Sequence, residues 1–183
     1  MITDRDYEVI EFLKSYKVAS TDTIAELFYN GKLRTAQYRL KCLAEKKQIK
    51  RSREAVTNQY IYYTKKPAQL RHSLLITDFY RELNRYTSSV VFFAREPDVC
   101  GKRPDAVFGY KINGCECLGL LEVEISNKGF DRDKYCNKKF LDFFPIAPKL
   151  FIVTNQTKIK KDGLFCSCSV CDTTLSDVKF CLR

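Results

Sequence analysis

Apolar residues return at helical spacing three times in the first 45 positions. Tyr7, Ile10, Leu13 and Tyr16 form one stripe, widened by Phe12, and Thr3 with Asp6 supplies a capping box at its start. Ile24, Leu27 and Phe28 share a face of a second helix starting at Thr21, which Asn30-Gly31 ends because both tolerate a left-handed backbone. The spacing predicts a third helix over 33–45 that buries Ala36, Leu40 and Leu43. Alternation then replaces the helical period. Residues 49–53 and 59–64 read as two short strands around the polar tip 54–58.

Lys65-Lys66-Pro67 breaks this run and is the expected boundary between a domain at 1–66 and another at 67–183. The second segment opens with an amphipathic helix over 68–86 carrying Leu70, Leu74, Phe79 and Leu83. Strands are expected at 89–95, 105–112, 117–125 and 150–154, with a helix over 131–144 before the last of them. That order is α/β with a mixed sheet. Residues 163–183 show no clear period.

Charge sharpens the picture of the first segment. The chain has 183 residues and a net charge of +10, which points to a polyanion partner. Residues 32–53 hold nine basic side chains against Glu45 alone. Three helices followed by a hairpin is the order of a winged helix-turn-helix, whose third helix enters the major groove. Its exposed face would offer Arg34, Thr35, Gln37, Tyr38 and Lys41 to bases and groove walls. Lys32 and, on the wing, Lys50, Arg51 and Arg53 would take phosphates. Double-stranded DNA is the expected partner, bound by a monomer or a homodimer.

No run of about 18 apolar residues is present, so no spanning helix is expected. The first twelve residues carry acids where an export signal has basic residues, and the chain is read as cytoplasmic with its nine cysteines reduced. Cys166, Cys168, Cys171 and Cys181 are the best zinc candidates. Their spacing lacks two CxxC pairs, and the tail is expected to hold no metal. Cys115 and Cys117 repeat the CxC spacing without a partner pair. His72, the one histidine, is expected to be a packing residue rather than a base.

Asp105 begins one expected strand, and Glu122 and Glu124 end the next on one face. An aspartate, a strand, then acid-apolar-acid resembles the arrangement of PD-(D/E)xK nucleases, which hold Mg2+ or Mn2+ on carboxylates and position water with a lysine. Glu124 stands where that lysine belongs. Lys128 and Lys134 are the nearest replacements. An inactive nuclease-like scaffold is therefore expected, with no resident cofactor, and a metal-dependent nuclease using Asp105, Glu122 and Glu124 is the alternative.

The order of these features resembles the replication-relaxation family of plasmids, phages and conjugative elements. The residues that carry the resemblance are the winged helix, Leu70-Arg71-His72-Ser73-Leu74, Arg103-Pro104-Asp105-Ala106, Leu121-Glu122-Val123-Glu124 and Lys134-Tyr135. The resemblance covers roughly residues 1–155 and implies DNA binding in replication, transfer or transcriptional control. It further implies a degenerate nuclease-like second domain, able to engage a relaxase or a replication initiator. Glu124, where an aspartate is usual, and the cysteine-rich tail depart from the family pattern.

Overall fold

The structure is a computed structural model and describes residues 2–126, 130–156, 159, 164, 167–182 of the 183-residue chain. It divides into two compact units, Met1–Arg81 and Glu82–Arg183.

In the first unit, α1 (Asp4–Tyr16) starts on the expected reciprocal cap. Thr3 N–H donates to Asp6 Oδ2 at 2.8 Å, and Asp6 N–H to Thr3 Oγ1 at 3.4 Å. A short strand β1 (Ala19–Ser20) leads into α2 (Thr21–Tyr29), where Ser20 Oγ accepts from Thr23 N–H at 3.1 Å. Asn30 and Gly31 take positive φ values of 51° and 73° and return their N–H groups to Ala25 O, so the chain turns sharply into α3 (Leu33–Glu45). Strands β2 (Lys50–Arg53) and β3 (Tyr60–Tyr63) pair antiparallel. With β1 they make a three-stranded sheet in the order β1-β3-β2.

Val9, Ile10, Leu13, Ile24, Leu40, Leu43 and Ile49 close one core between the helices and this sheet. At roughly 1.5–3 kcal/mol for each large side chain taken from water, this cluster is the main support of the unit. Tyr7, expected in the stripe, is 56% exposed. The α1 face that meets the core is centred on Val9, Ile10 and Leu13, and Tyr7 stands at its margin.

Helix α4 (Leu70–Tyr86) carries the division between the units, which falls after Arg81 rather than at Lys65-Lys66-Pro67. Packing explains the shift. Leu70 and Leu74 join Val18, Ile61 and Tyr63 in a second small core. Thr77 Oγ1 donates to Tyr16 O at 3.2 Å, and Thr23 Oγ1 to Asp78 Oδ1 at 2.6 Å. The first three turns of α4 thus belong with the helices that precede them.

The second unit is built on a five-stranded mixed sheet in the order β4-β5-β6-β7-β8. Strands β4 (Ser89–Arg95), β5 (Ala106–Ile112) and β6 (Cys115–Glu124) form an antiparallel meander. Asn113-Gly114, both at positive φ, make the two-residue turn from β5 to β6. The Phe108 ring lies over Gly119 and fills the space a side chain there would need. β7 (Lys149–Thr154) and β8 (Cys168–Cys171) add in parallel, and β7 is buried along nearly its whole length. The mixed sheet expected from the sequence is present, and its fifth strand comes from the tail that showed no period.

The expected helix over 131–144 is a correction. It is a 3-10 turn at Arg132–Lys134 followed by α5 (Lys138–Leu141), with Asn137 Oδ1 accepting from Lys139 N–H between them. Tyr135 and Phe140 are both buried in one core with Leu120, Leu150 and Ile152. Five residues apart on a continuous helix they would point about 140° away from each other, so the helix breaks to bury both. α6 (Val178–Cys181) closes the described chain after a turn from β8. Among the described residues no helix is long and apolar enough to cross a membrane.

Candidate functional site

Ala36, Leu40 and Leu43 hold α3 to the core, as the spacing predicts, and this fixes which face is left outside. Arg34, Thr35, Gln37, Tyr38 and Lys41 are all exposed on that face, Tyr38 to 65%, and Lys32 is exposed immediately before it. Arg39, counted in the same basic stretch, points the other way. Its Nε donates to Asp6 Oδ1 at 3.1 Å and its Nη2 to Asp6 Oδ2, and Asp6 is fully buried. Burial pushes the Asp6 carboxyl up, but the hydrogen bonds from Arg39 and Thr3 outweigh it and hold the group below its ordinary value. Arg39 therefore ties α3 to the start of α1.

On the β2–β3 ribbon, Lys50, Arg51 and Arg53 are exposed. The guanidiniums of Arg51 and Arg53 lie 5.1 Å and 4.3 Å from the centre of the Tyr60 ring. Arg53 also donates to Asn58 O at 2.8 Å and to the Tyr60 hydroxyl at 3.3 Å, which restricts its rotamers before any ligand arrives. Glu54, read from the sequence as part of a polar tip, is buried. Its Oε2 accepts from Val56 N–H at 2.9 Å, Thr57 N–H at 2.6 Å and Thr57 Oγ1 at 2.9 Å, and faces Arg71 Nη1 at 3.6 Å. Burial opposes ionisation of Glu54, yet these donors keep its carboxyl below the ordinary value. Gln37 and Arg53 meet in one cleft of about 210 Å³, whose wall includes Thr21, Asn58 and Tyr60 and one acid, Asp22. The nine residues named from the sequence thus all lie on the surface of the first unit. Sequence reasoning missed Glu54 as the latch of the ribbon and Tyr60 as the platform of its arginines. The signal for the latter was present, since Tyr60 stands opposite Arg53 in a two-strand register.

The second unit holds the acidic residues. Asp105 Oδ2 accepts from Val123 N–H at 2.7 Å, tying the start of β5 to β6. Glu122 Oε1 accepts from Lys134 Nζ at 2.5 Å and from the Tyr135 hydroxyl, and Lys134 also donates to Arg103 O. Burial and the nearby Asp105 charge push the Glu122 carboxyl up, and Lys134 and Tyr135 only partly offset this. Glu124 turns to its own chain, where Oε1 accepts from Ser126 N–H at 2.8 Å and Ser126 Oγ at 2.5 Å. Among the described residues, Asp105, Glu122 and Glu124 do not gather as a metal-ligand trio. Of the two replacement lysines, Lys134 reaches Glu122, and Lys128 lies outside the described residues. His72 is half-buried in the first turn of α4.

The tail brings together Cys171 and Cys181, with Sγ atoms 3.4 Å apart, and adds Asp177, which the cysteine spacing could not indicate. Cys168 stays outside that group, because residues three apart on a strand face opposite sides. Cys166 lies outside the described residues. Cys115 is exposed and Cys117 half-buried at the start of β6, and all described cysteines are free thiols.

No protein-family model matches this chain, and no curated protein does. The crystal structure of protein VC1899 from Vibrio cholerae is similar to it at 14% identity and a TM-score of 0.39, over 80% of this chain and 41% of that one. The matched region thus spans about two fifths of that protein's length.

Proposed function

We propose that the chain is a sequence-specific double-stranded-DNA-binding protein of a mobile genetic element, acting in replication, transfer or transcriptional control as a member of the replication-relaxation family. In this reading the first unit is a winged helix-turn-helix, α3 its recognition helix and the β2–β3 ribbon its wing. The observation that carries it is the side-chain partition of α3 and the ribbon. Every group named for DNA contact is exposed, while the one arginine that is not, Arg39, is engaged inside the fold. A merely solvated basic face would not need Arg53 held on an aromatic ring at the wall of a cleft shared with Gln37.

The second unit is then a nuclease-like scaffold that offers a surface to a relaxase or replication initiator. Lys134 neutralises Glu122, which removes the need for a divalent cation among the carboxylates. Fluorescence anisotropy of the full chain on labelled duplexes selected from a random pool tests the proposal. One sequence should be preferred, and log K should fall linearly with log salt with a slope of about −0.9 per phosphate contacted. Equal, salt-insensitive binding to every duplex would refute it.

A metal-dependent nuclease remains the second reading, because Lys134 reaches Glu122 from outside the motif. Conversion of supercoiled plasmid to nicked circles in Mg2+ or Mn2+ separates the two.

A further inference from the structure

Strand β8 ends on Cys171, which is fully buried, and α6 ends on Cys181 ten residues later. The turn between them is fixed by Asp172, whose Oδ1 accepts from Thr174 N–H at 2.7 Å and Leu175 N–H at 2.9 Å. This turn leads back to Asp177, whose carboxylate lies beside the two sulfurs. One ligand atom from each of Cys171, Asp177 and Cys181 lies within 4.8 Å of the others. Asp177 Oδ2 accepts from Asp172 N–H at 3.2 Å, whereas Asp177 Oδ1 is buried with no hydrogen-bond partner among the described residues. An unmet carboxylate oxygen beside two thiols is costly unless something positive occupies the space they face.

We propose that Cys171, Asp177 and Cys181 form a binding site for one thiophilic divalent cation of the Zn2+ type, with water in the fourth position. This goes beyond the DNA-binding reading and does not depend on it. Binding replaces two S–H protons by two metal–sulfur bonds, and both protons leave to solvent. Zn–S bonds of about 2.3 Å at a tetrahedral angle put the sulfurs about 3.8 Å apart. The present separation of 3.4 Å therefore has to open by only a few tenths of an ångström. A disulfide would have to close the same gap to about 2.05 Å, a movement several times larger. Two thiolates and a carboxylate around M2+ leave one negative charge. Lys149 Nζ, which donates to Cys181 O at 2.5 Å, stands beside the site to balance it. The carboxylate and thiolate set excludes alkaline-earth ions, which take all-oxygen shells.

Cobalt(II) titration of the reduced full chain tests the site. A thiolate-to-cobalt charge-transfer absorption saturating at one Co2+ per chain, and displaced by Zn2+, is expected. Cys171→Ser and Cys181→Ser should abolish the absorption. Asp177→Asn should weaken binding by more than the roughly 10–100-fold that loss of an outer partner costs. Cys168→Ser should leave it unchanged. Alkylation of the unaltered protein needs no variant to fold: Zn2+ should slow the reaction of Cys181 with iodoacetamide and leave that of the exposed Cys100 as it was. Absence of the charge-transfer band, its survival in the Cys171→Ser variant, or a Cys181 alkylation rate indifferent to Zn2+ would overturn the proposal.

Discussion

Arg39 belongs to the most basic stretch of the chain, yet its Nε and Nη2 both donate to Asp6 at the start of α1. The pair sits in the structural half of α3, and its loss should be read in stability, not in DNA contact. Arg39→Ala leaves a buried carboxylate with only its Thr3 partner, which costs about 3 kcal/mol. The folded fraction should bind DNA with an unchanged salt slope. A slope flattened by about 0.9 would instead make Arg39 a phosphate contact. The pH dependence has a definite sign. The Asp6 carboxyl is depressed below its ordinary 3.8 in the folded state, so its contribution is full above that value and is lost as pH falls through the folded value. Circular dichroism across an acid titration should therefore show Arg39→Ala unfolding at higher pH than the unaltered chain.

Glu54 gives the complementary case, a buried residue that holds the ribbon proposed to contact DNA. Glu54→Ala frees the amides of Val56 and Thr57 and removes the partner of Arg71. The wing then samples more conformations before binding, and affinity should fall roughly tenfold, about 1.4 kcal/mol, at every salt concentration. Lys50→Ala/Arg51→Ala should act differently, weakening binding on all sequences and lowering the salt slope. Titrations at three salt concentrations distinguish the two; identical slope changes would remove Glu54 from the latch role.

What the sequence made legible was local. Thr3 and Asp6, Asn30-Gly31 and the Ala36, Leu40, Leu43 spacing set helix ends and faces through contacts three or four residues apart. The mixed sheet followed from strand order. What stayed hidden depends on distant partners. Nothing near Arg39 announces Asp6, 33 positions earlier, whereas Lys134, one of the two lysines nearest the acidic residues in the sequence, does reach Glu122. The helix expected over 131–144 failed because two aromatic residues of unsuitable spacing had to enter one core. Asp177 was invisible as a ligand candidate because an aspartate in a loop is ordinary until two sulfurs are placed beside it. The Asn113-Gly114 turn, by contrast, is local chemistry, an Asn-Gly pair that takes positive φ at both positions.

Within α3, Gln37 and Lys41 should separate base reading from charge. Gln37 faces the cleft shared with Arg53, and its amide can pair with a base edge in two directions. Gln37→Ala should cost roughly 1–3 kcal/mol on the preferred duplex and little on random sequence. Lys41→Ala should weaken both equally. Competition binding with preferred and scrambled duplexes measures the ratio. Loss of equal size on both duplexes for Gln37→Ala would move base recognition elsewhere on the helix.

Glu122 decides between scaffold and nuclease. A nuclease of the resembled pattern needs a lysine free to orient water and two carboxylates free to take a cation. Here Lys134 is committed to Glu122 and to Arg103 O, while Glu124 is committed to Ser126. A like charge about 4 Å from an approaching phosphate costs roughly 4 kcal/mol at an effective dielectric near 20, before screening. A glutamate standing where that pattern has its lysine would therefore oppose such a substrate. Supercoiled plasmid incubated with the protein and Mg2+ or Mn2+ should stay supercoiled. The titration of Glu122 supplies an independent check. Its folded value is raised above the ordinary 4.5, so the stability it contributes is full below 4.5 and is lost as pH rises through the folded value. Lys134→Met removes the charge that restrains this shift and should steepen the loss of stability toward neutral pH, and Glu122→Gln should flatten it. Nicking that disappears in Glu122→Ala, together with a pH profile of stability untouched by Lys134→Met, would show that the lysine serves a substrate phosphate rather than its buried partner.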